Sequence, residues 1–285
     1  MHITEHCSPS ESDNKYSCLD DDLILEIAKI LNTIDGINID LKLSPEEVHS
    51  EISKNLKSWN IDKEISLSNI KLIKNNLSKE KLKKFKESFK PDMPEEWENN
   101  INTWLCTTDI TNVLSQYKKS DKGFYLYGPT PIDFNLKDGN KCLVDSLCKF
   151  NLSKHIKDGI TKIGIVFNTD PHTEGGEHWI SLYIDIKGVN LSVPAIYYFD
   201  STGEDPPKEI KDLINKIIKQ GKENKINFTY FENDIQHQKG GTECGIYSLH
   251  FIINMIEGND FQDYISEHKS DKFIEKFRNI YFIDN

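Results

Sequence analysis

Arginine is nearly missing from this chain. Arg278 is the only one among 35 basic residues; the others are lysines. Lysine, isoleucine and asparagine are what A·T-rich codons supply, so the bias describes a genome and says nothing of the chemistry. A positive balance is missing as well. The formal net charge is −11 over 285 residues, which argues against non-specific binding to DNA or to an anionic membrane as the main task. No apolar run approaches the ~18 residues of a membrane span. No secretory h-region is visible in the first residues, MHITEHCSPSESDN. Cys7, Cys18, Cys106, Cys142, Cys148 and Cys244 form no CxxC and no regular framework. Free thiols in a reducing compartment are therefore expected rather than disulfides. A zinc site needs three or four ligands at suitable spacing, and Cys142, Cys148 and a distant His155 match that poorly. No metal, no cofactor and no internal repeat is expected.

What is present suffices for a full core and for one or two domains. Residues 1–19 are polar and read as frayed. Residues 20–34 have helical apolar spacing with acids in the first turn, where the helix dipole favours them. SPEEVHSEISKNLKSW places Ser44 as N-cap, Pro45 at the first helical position and Glu47 at the third. Residues 66–89 read as one lysine-rich helix with a solvated face; a docking surface for nucleic acid or an acidic partner is the alternative. Pro91 and Pro94 break the pattern. They suggest a division into a helical region, 1–95, accessory or targeting, and a second domain, 96–285.

In the second region Thr107 or Thr108 is a candidate cap for a helix after Trp104-Leu105. From residue 161 the texture becomes β-branched and aromatic: TKIGIVFN, HWISLYIDIKG, AIYYFDS and, further on, NKINFTYFEN read as strands. Helices are expected from Pro206-Pro207 to about residue 219, from Cys244, and over 260–282. The order implies an α+β fold.

Four residues carry candidate chemistry. Cys244 opens an apolar helix after the Gly-rich GGTE loop. A helix N-terminus favours a thiolate, although a buried cysteine is most often structural. Gly245 would let a substrate backbone approach closely. His178 heads a strand and suits proton exchange near neutral pH; His172 and His237 are rivals. Asp200 closes a strand, where it can orient a histidine or simply cap a turn. Gln238 lies six residues before Cys244 and can donate its amide to an oxyanion alongside the Cys244 N–H. Base, orienter, oxyanion donor and nucleophile together suggest a cysteine protease.

His178-Trp179, Asp200 after a strand, and Gln238 six residues before Cys244-Gly245 resemble the ubiquitin-like-protein protease family. That family includes the SUMO-deconjugating enzymes and the adenovirus protease. FNTDPHTEGGEHWISLYIDIKG, YFDSTGEDPP and IQHQKGGTECGIYSL resemble a virus-encoded member that carries a helical N-terminal extension. The likeness is good over residues 160–255 and weaker elsewhere. It implies a core with a central mixed sheet packed between helices. It also implies a His178-Asp200-Cys244 triad, with Asp200 where the viral member has Asn. It makes Trp104 and Trp179 the roof of a tunnel for a Gly-Gly tail; for Trp104, core packing is the alternative. The implied substrate is a Gly-Gly-containing structural polyprotein cut during virion maturation, or a ubiquitin-like protein. The implied location is the viral factory in host cytoplasm and the virion. An inactive scaffold whose N-terminal helices do the work is the reading of another class.

Overall fold

The computed structural model describes residues 6–11, 16–61 and 63–284. The chain forms two compact units, Met1–Met93 with Ile280–Asn285, and Pro94–Asn279.

The first unit is helical. Its main helices are α1 (Asp21–Leu31) and α2 (Pro45–Ser58). Asp20 caps α1, and Ser44 with Glu47 forms a reciprocal capping box on α2, satisfying N–H groups that have no intrahelical partner. The lysine-rich stretch is not one helix. It divides into a 3-10 turn (Glu64–Asn69), α3 (Lys71–Asn76) and α4 (Lys79–Glu87). Ser78 starts α4 afresh by accepting from Lys81 N at 3.2 Å. Lys81 and Lys84 pair with Glu26 and Asp20, so part of the expected solvated face is tied back to α1.

The N-terminal stretch also departs from expectation. Residues 1–5 and 12–15 lie outside the described residues. Cys7, Ser8, Ser17, Cys18 and Leu19 are buried, and Cys7 and Cys18 join in a disulfide with Cα atoms 5.0 Å apart. A second disulfide links Cys142 and Cys148. The expectation of six free thiols thus fails for four. Folding brings Cys7 and Cys18 together inside one apolar core, which spacing alone does not reveal. The end of the chain also belongs here rather than with residues 96–279. Ile283 is buried, Ile283 N donates to Pro91 O, and Met93 N donates to Ile283 O, both at 2.9 Å.

The second unit begins with α5 (Thr107–Ser120). Cys106, not a threonine, precedes its first turn, and Cys106 N donates to Asp109 Oδ2 at 2.7 Å. β1 (Phe124–Pro131) follows, then a short hairpin of β2 (Lys137–Asp138) and β3 (Lys141–Cys142). Two short helices, α6 (Asp145–Cys148) and α7 (Leu152–Lys157), lead to β4 (Lys162–Asn168), β5 (Trp179–Asp185) and β6 (Ala195–Phe199). Helix α8 (Lys208–Glu223), β7 (Thr229–Glu232) and α9 (Cys244–Ile256) complete the core. The expected long terminal helix is instead three pieces, α10 (Phe261–Ser266), α11 (Asp271–Glu275) and α12 (Arg278–Tyr281). Asp260 and Ser270 each cap a new start.

The sheet is mixed, in the order β1-β4-β5-β6-β7. The outer pairs β1/β4 and β6/β7 are parallel, and the inner pairs antiparallel. Every residue of β5 and β6 is buried, so both faces are covered and the strands read as continuous apolar runs. On one face Ile165, Leu182 and Ile196 pack with Ile210, Leu213, Ile214 and Ile217 of α8. On the other lies α9, buried on nearly all sides, as its uniformly apolar sequence requires. Gly164 of β4 makes room: a Cβ there would meet Ile252 Cγ2 of α9 at 3.2 Å.

Candidate active site

Three connections bring the four candidate residues together at one end of the sheet. His178 immediately precedes β5, Asp200 immediately follows β6, Gln238 lies between β7 and α9, and Cys244 is the first residue of α9. Adjacent antiparallel strands explain the first pair. The start of β5 and the end of β6 lie at the same end of the sheet.

His178 Nε2 and Asp200 Oδ1 are 2.7 Å apart. A carboxylate only accepts, so Nε2 carries the proton and Nδ1 is left to take one up. Asp200 Oδ1 also accepts from Thr202 N and Thr202 Oγ1, each at 2.8 Å. Asp200 therefore both caps its turn and holds the imidazole. Asn233 fixes this turn from behind, accepting from Asp200 N and donating to Asp200 O, both at 2.9 Å. Gly203 has φ +76°, and a Cβ there would meet backbone of Ile235 and Gln236 at 2.9 Å, so the turn demands glycine.

The His178 ring is largely buried, which works against its charged form. Hydrogen bonds to Asp200 and to the Cys244 side chain, with the charges of both, outweigh this and push its pKa up to about 10. A protonated His178 ring is therefore favoured here. The rival histidines stand elsewhere. His172 bonds Asp133 at 2.6 Å. His237 is enclosed, and burial, with Lys269 and His268 nearby, pulls its pKa down to about 4.

Cys244 is 2% exposed. The preceding Glu243 provides no side-chain cap for α9; its carboxylate bonds Thr242 N at 3.1 Å instead. The helix N-terminus thus presents its dipole and first N–H groups without a capping side chain. Gln238 is buried beside this loop. Ser201 Oγ donates to Gln238 Oε1 at 2.7 Å, and Gln238 Nε2 donates to Gly240 O at 2.9 Å. These bonds fix the amide's orientation, and the second N–H of Nε2 remains for another acceptor. Asp271 clamps the same loop by accepting from Gly240 N at 2.8 Å.

The two tryptophans differ. Trp179 is buried and donates to Leu105 O at 2.9 Å. Trp104 is exposed and donates to Gly241 O at 2.6 Å, so it bridges to the loop before Cys244 rather than filling the core. Gly245 is buried, and a Cβ there would meet Leu105 Cβ at 3.0 Å. Its lack of a side chain allows this close packing within the chain.

Sequence reasoning missed Ser201, Asn233, Asp271 and Arg278. Ser201 adjoins Asp200, which is a local signal; the others converge only through folding. Among the described residues no group of three or more His, Cys, Asp or Glu side chains is placed to hold a metal ion.

The family described as YopJ serine/threonine acetyltransferase matches residues 131–285, more than half of the chain. A protein named as a thiol protease in Acanthamoeba polyphaga mimivirus is 34% identical over 182 residues, 63% of this chain and 56% of that protein. A cysteine protease of African swine fever virus is 30% identical over 146 residues, 51% of this chain and 52% of that protein. The matches thus span about half the length of these relatives. A crystal structure of the African swine fever virus protease superposes with TM-score 0.67 at 22% identity, covering 99% of this chain and 97% of the other. That likeness places this chain in the same fold.

Proposed function

The chain belongs to the family described as YopJ serine/threonine acetyltransferase, and on that premise we propose that it is a thiol peptidase with a His178-Asp200-Cys244 triad. The observation that carries this reading is His178 held between Asp200 and Cys244 at the N-terminus of α9. In the proposed reaction the Cys244 thiolate attacks a substrate carbonyl. The oxyanion takes hydrogen bonds from the Gln238 amide and the Cys244 N–H. His178 imidazolium protonates the leaving amine, and water then releases the acyl group from Cys244 with His178 as base.

The substrate reading is a Gly-Gly sequence. A relative from African swine fever virus bears the name of a SUMO-1 cysteine protease, and exposed Trp104 beside Gly241 offers a flat wall that suits residues without side chains. Cleavage of a structural polyprotein in the virus factory and virion is the first form of this proposal. Removal of a ubiquitin-like protein from host conjugates is the second. The family's described activity adds a third outcome, acyl transfer. It would use the same Cys244 thioester and deliver the acyl group to a hydroxyl instead of water. In every form the first unit is accessory.

Three substrates separate these forms. They are a peptide spanning a Gly-Gly-Ala junction, a panel of ubiquitin-like fusions, and an acetyl thioester with a hydroxyl acceptor protein. Cys244→Ala is the blank for each. Peptide cleavage alone supports maturation, and fusion cleavage alone supports deconjugation. Acetylation without cleavage, or cleavage persisting in Cys244→Ala, overturns the peptidase reading.

A further inference from the structure

The one arginine of the chain is not on its surface. Arg278 is 1% exposed. A buried charge is costly unless its surroundings satisfy it, and here the surroundings are two segments of the active site. Arg278 Nη1 donates to Thr103 O at 3.0 Å, and Nη2 donates to Thr242 O at 3.1 Å. The guanidinium lies over the Trp97 ring, 4.6 Å from its centre. Thr103 directly precedes Trp104, and Thr242 stands two residues before Cys244. Trp104 Nε1 makes a second tie between the same segments, to Gly241 O. Burial disfavours the charged guanidinium, and the carboxylates of Glu243 and Glu275 act in its favour.

Two carbonyls on separate segments, reached by one planar group stacked on an indole, call for a guanidinium. A lysine ammonium is a point charge and cannot span both while stacking. We propose that Arg278 is a positioning residue of the Cys244 site. It joins the Trp104 segment to the loop before Cys244 and places a fixed positive charge on the carbonyl two residues before that cysteine. This rests on Cys244 being the nucleophile and not on any choice of substrate.

The test is the pH dependence of Cys244 alkylation by iodoacetamide in the full chain, with the adduct mapped by mass to distinguish it from exposed Cys106. Arg278→Met removes the charge, and the alkylation midpoint should rise by about one pH unit. Arg278→Lys keeps a charge but loses the fork. Its midpoint should stay, while kcat on a Gly-Gly amide of aminomethylcoumarin should fall about tenfold with little change in KM. A folded Arg278→Met protein with an unshifted midpoint overturns the proposal. If Arg278→Met does not fold, Arg278→Lys decides: wild-type alkylation rate and wild-type kcat together overturn it. If the wild type alkylates normally but leaves the Gly-Gly amide intact, the substrate reading fails. The alkylation rates of the two variants then still decide the role of Arg278.

Discussion

At the residue scale the site is a set of charges balanced against burial. His178 titrates upward because Asp200 and Cys244 favour its protonated ring more than burial disfavours it. A histidine with a raised folded pKa stabilises the fold fully below its unfolded value of about 6.5, and that stability is lost as pH rises through the folded value. The wild type should therefore lose unfolding free energy between pH 6.5 and about 10. Asp200→Asn should lose less over the same window, measured by urea titration at each pH. The same substitution should lower kcat/KM and move the alkaline limb of the pH profile downward. Gln238→Ala should cost about a hundred- to a thousand-fold in kcat, the usual effect of losing one oxyanion donor. Ser201→Ala should cost less, since it only orients the amide. His178, Asp200, Gln238 and Cys244 could be singled out as candidates in the sequence because each sits where a local pattern changes. Arg278 was not. It looked like a by-product of codon bias, and its role depends on contacts 36 and 175 residues away.

At the element scale α9 does the most. It fills the face of the sheet opposite α8 and puts Cys244 at its uncapped start. At Gly245 it packs tightly against Leu105, the neighbour of Trp104. Gly245→Ala should push Leu105 aside by a few tenths of an ångström. Overpacking of this kind costs about 1–3 kcal/mol, so the melting temperature should fall and KM should rise as Trp104 shifts. A variant with wild-type stability and KM would contradict the packing described here. The strands β4, β5 and β6 were readable because both faces of the sheet are covered, leaving unbroken β-branched and aromatic runs. β1 was not. Its sequence FYLYGPTP carries a glycine and two prolines, which interrupt a strand pattern. It holds an edge position, where prolines are tolerated. The helix breaks at Leu77-Ser78 and before Ser270 were hidden by apolar periodicity that continues across them.

At the scale of the whole molecule the chain has two separate apolar cores. Pro91 and Pro94 made a division near residue 95 readable, whereas the return of the chain's end to the first unit was not. Nothing local marks that return; Ile283 simply completes a core begun much earlier. The disulfides were missed for the same reason, since pairing follows the fold and not the spacing. Phe85 is fully buried in the first core, and Phe85→Ala should destabilise that core by about 3–5 kcal/mol. The rate of Cys244 alkylation in the folded protein should stay unchanged. A large loss of Cys244 reactivity would mean that the two cores are not independent.

The proposed role of Cys244 is that of an activated nucleophile that accepts an acyl group from a Gly-Gly sequence. The most direct measurement is covalent labelling by a Gly-Gly peptide ending in a vinyl methyl ester, followed by intact mass and peptide mapping. One adduct per chain is expected, on Cys244, absent in Cys244→Ala and slowed in Asp200→Asn. An adduct on Cys106, or no adduct on a folded wild-type chain, would contradict it.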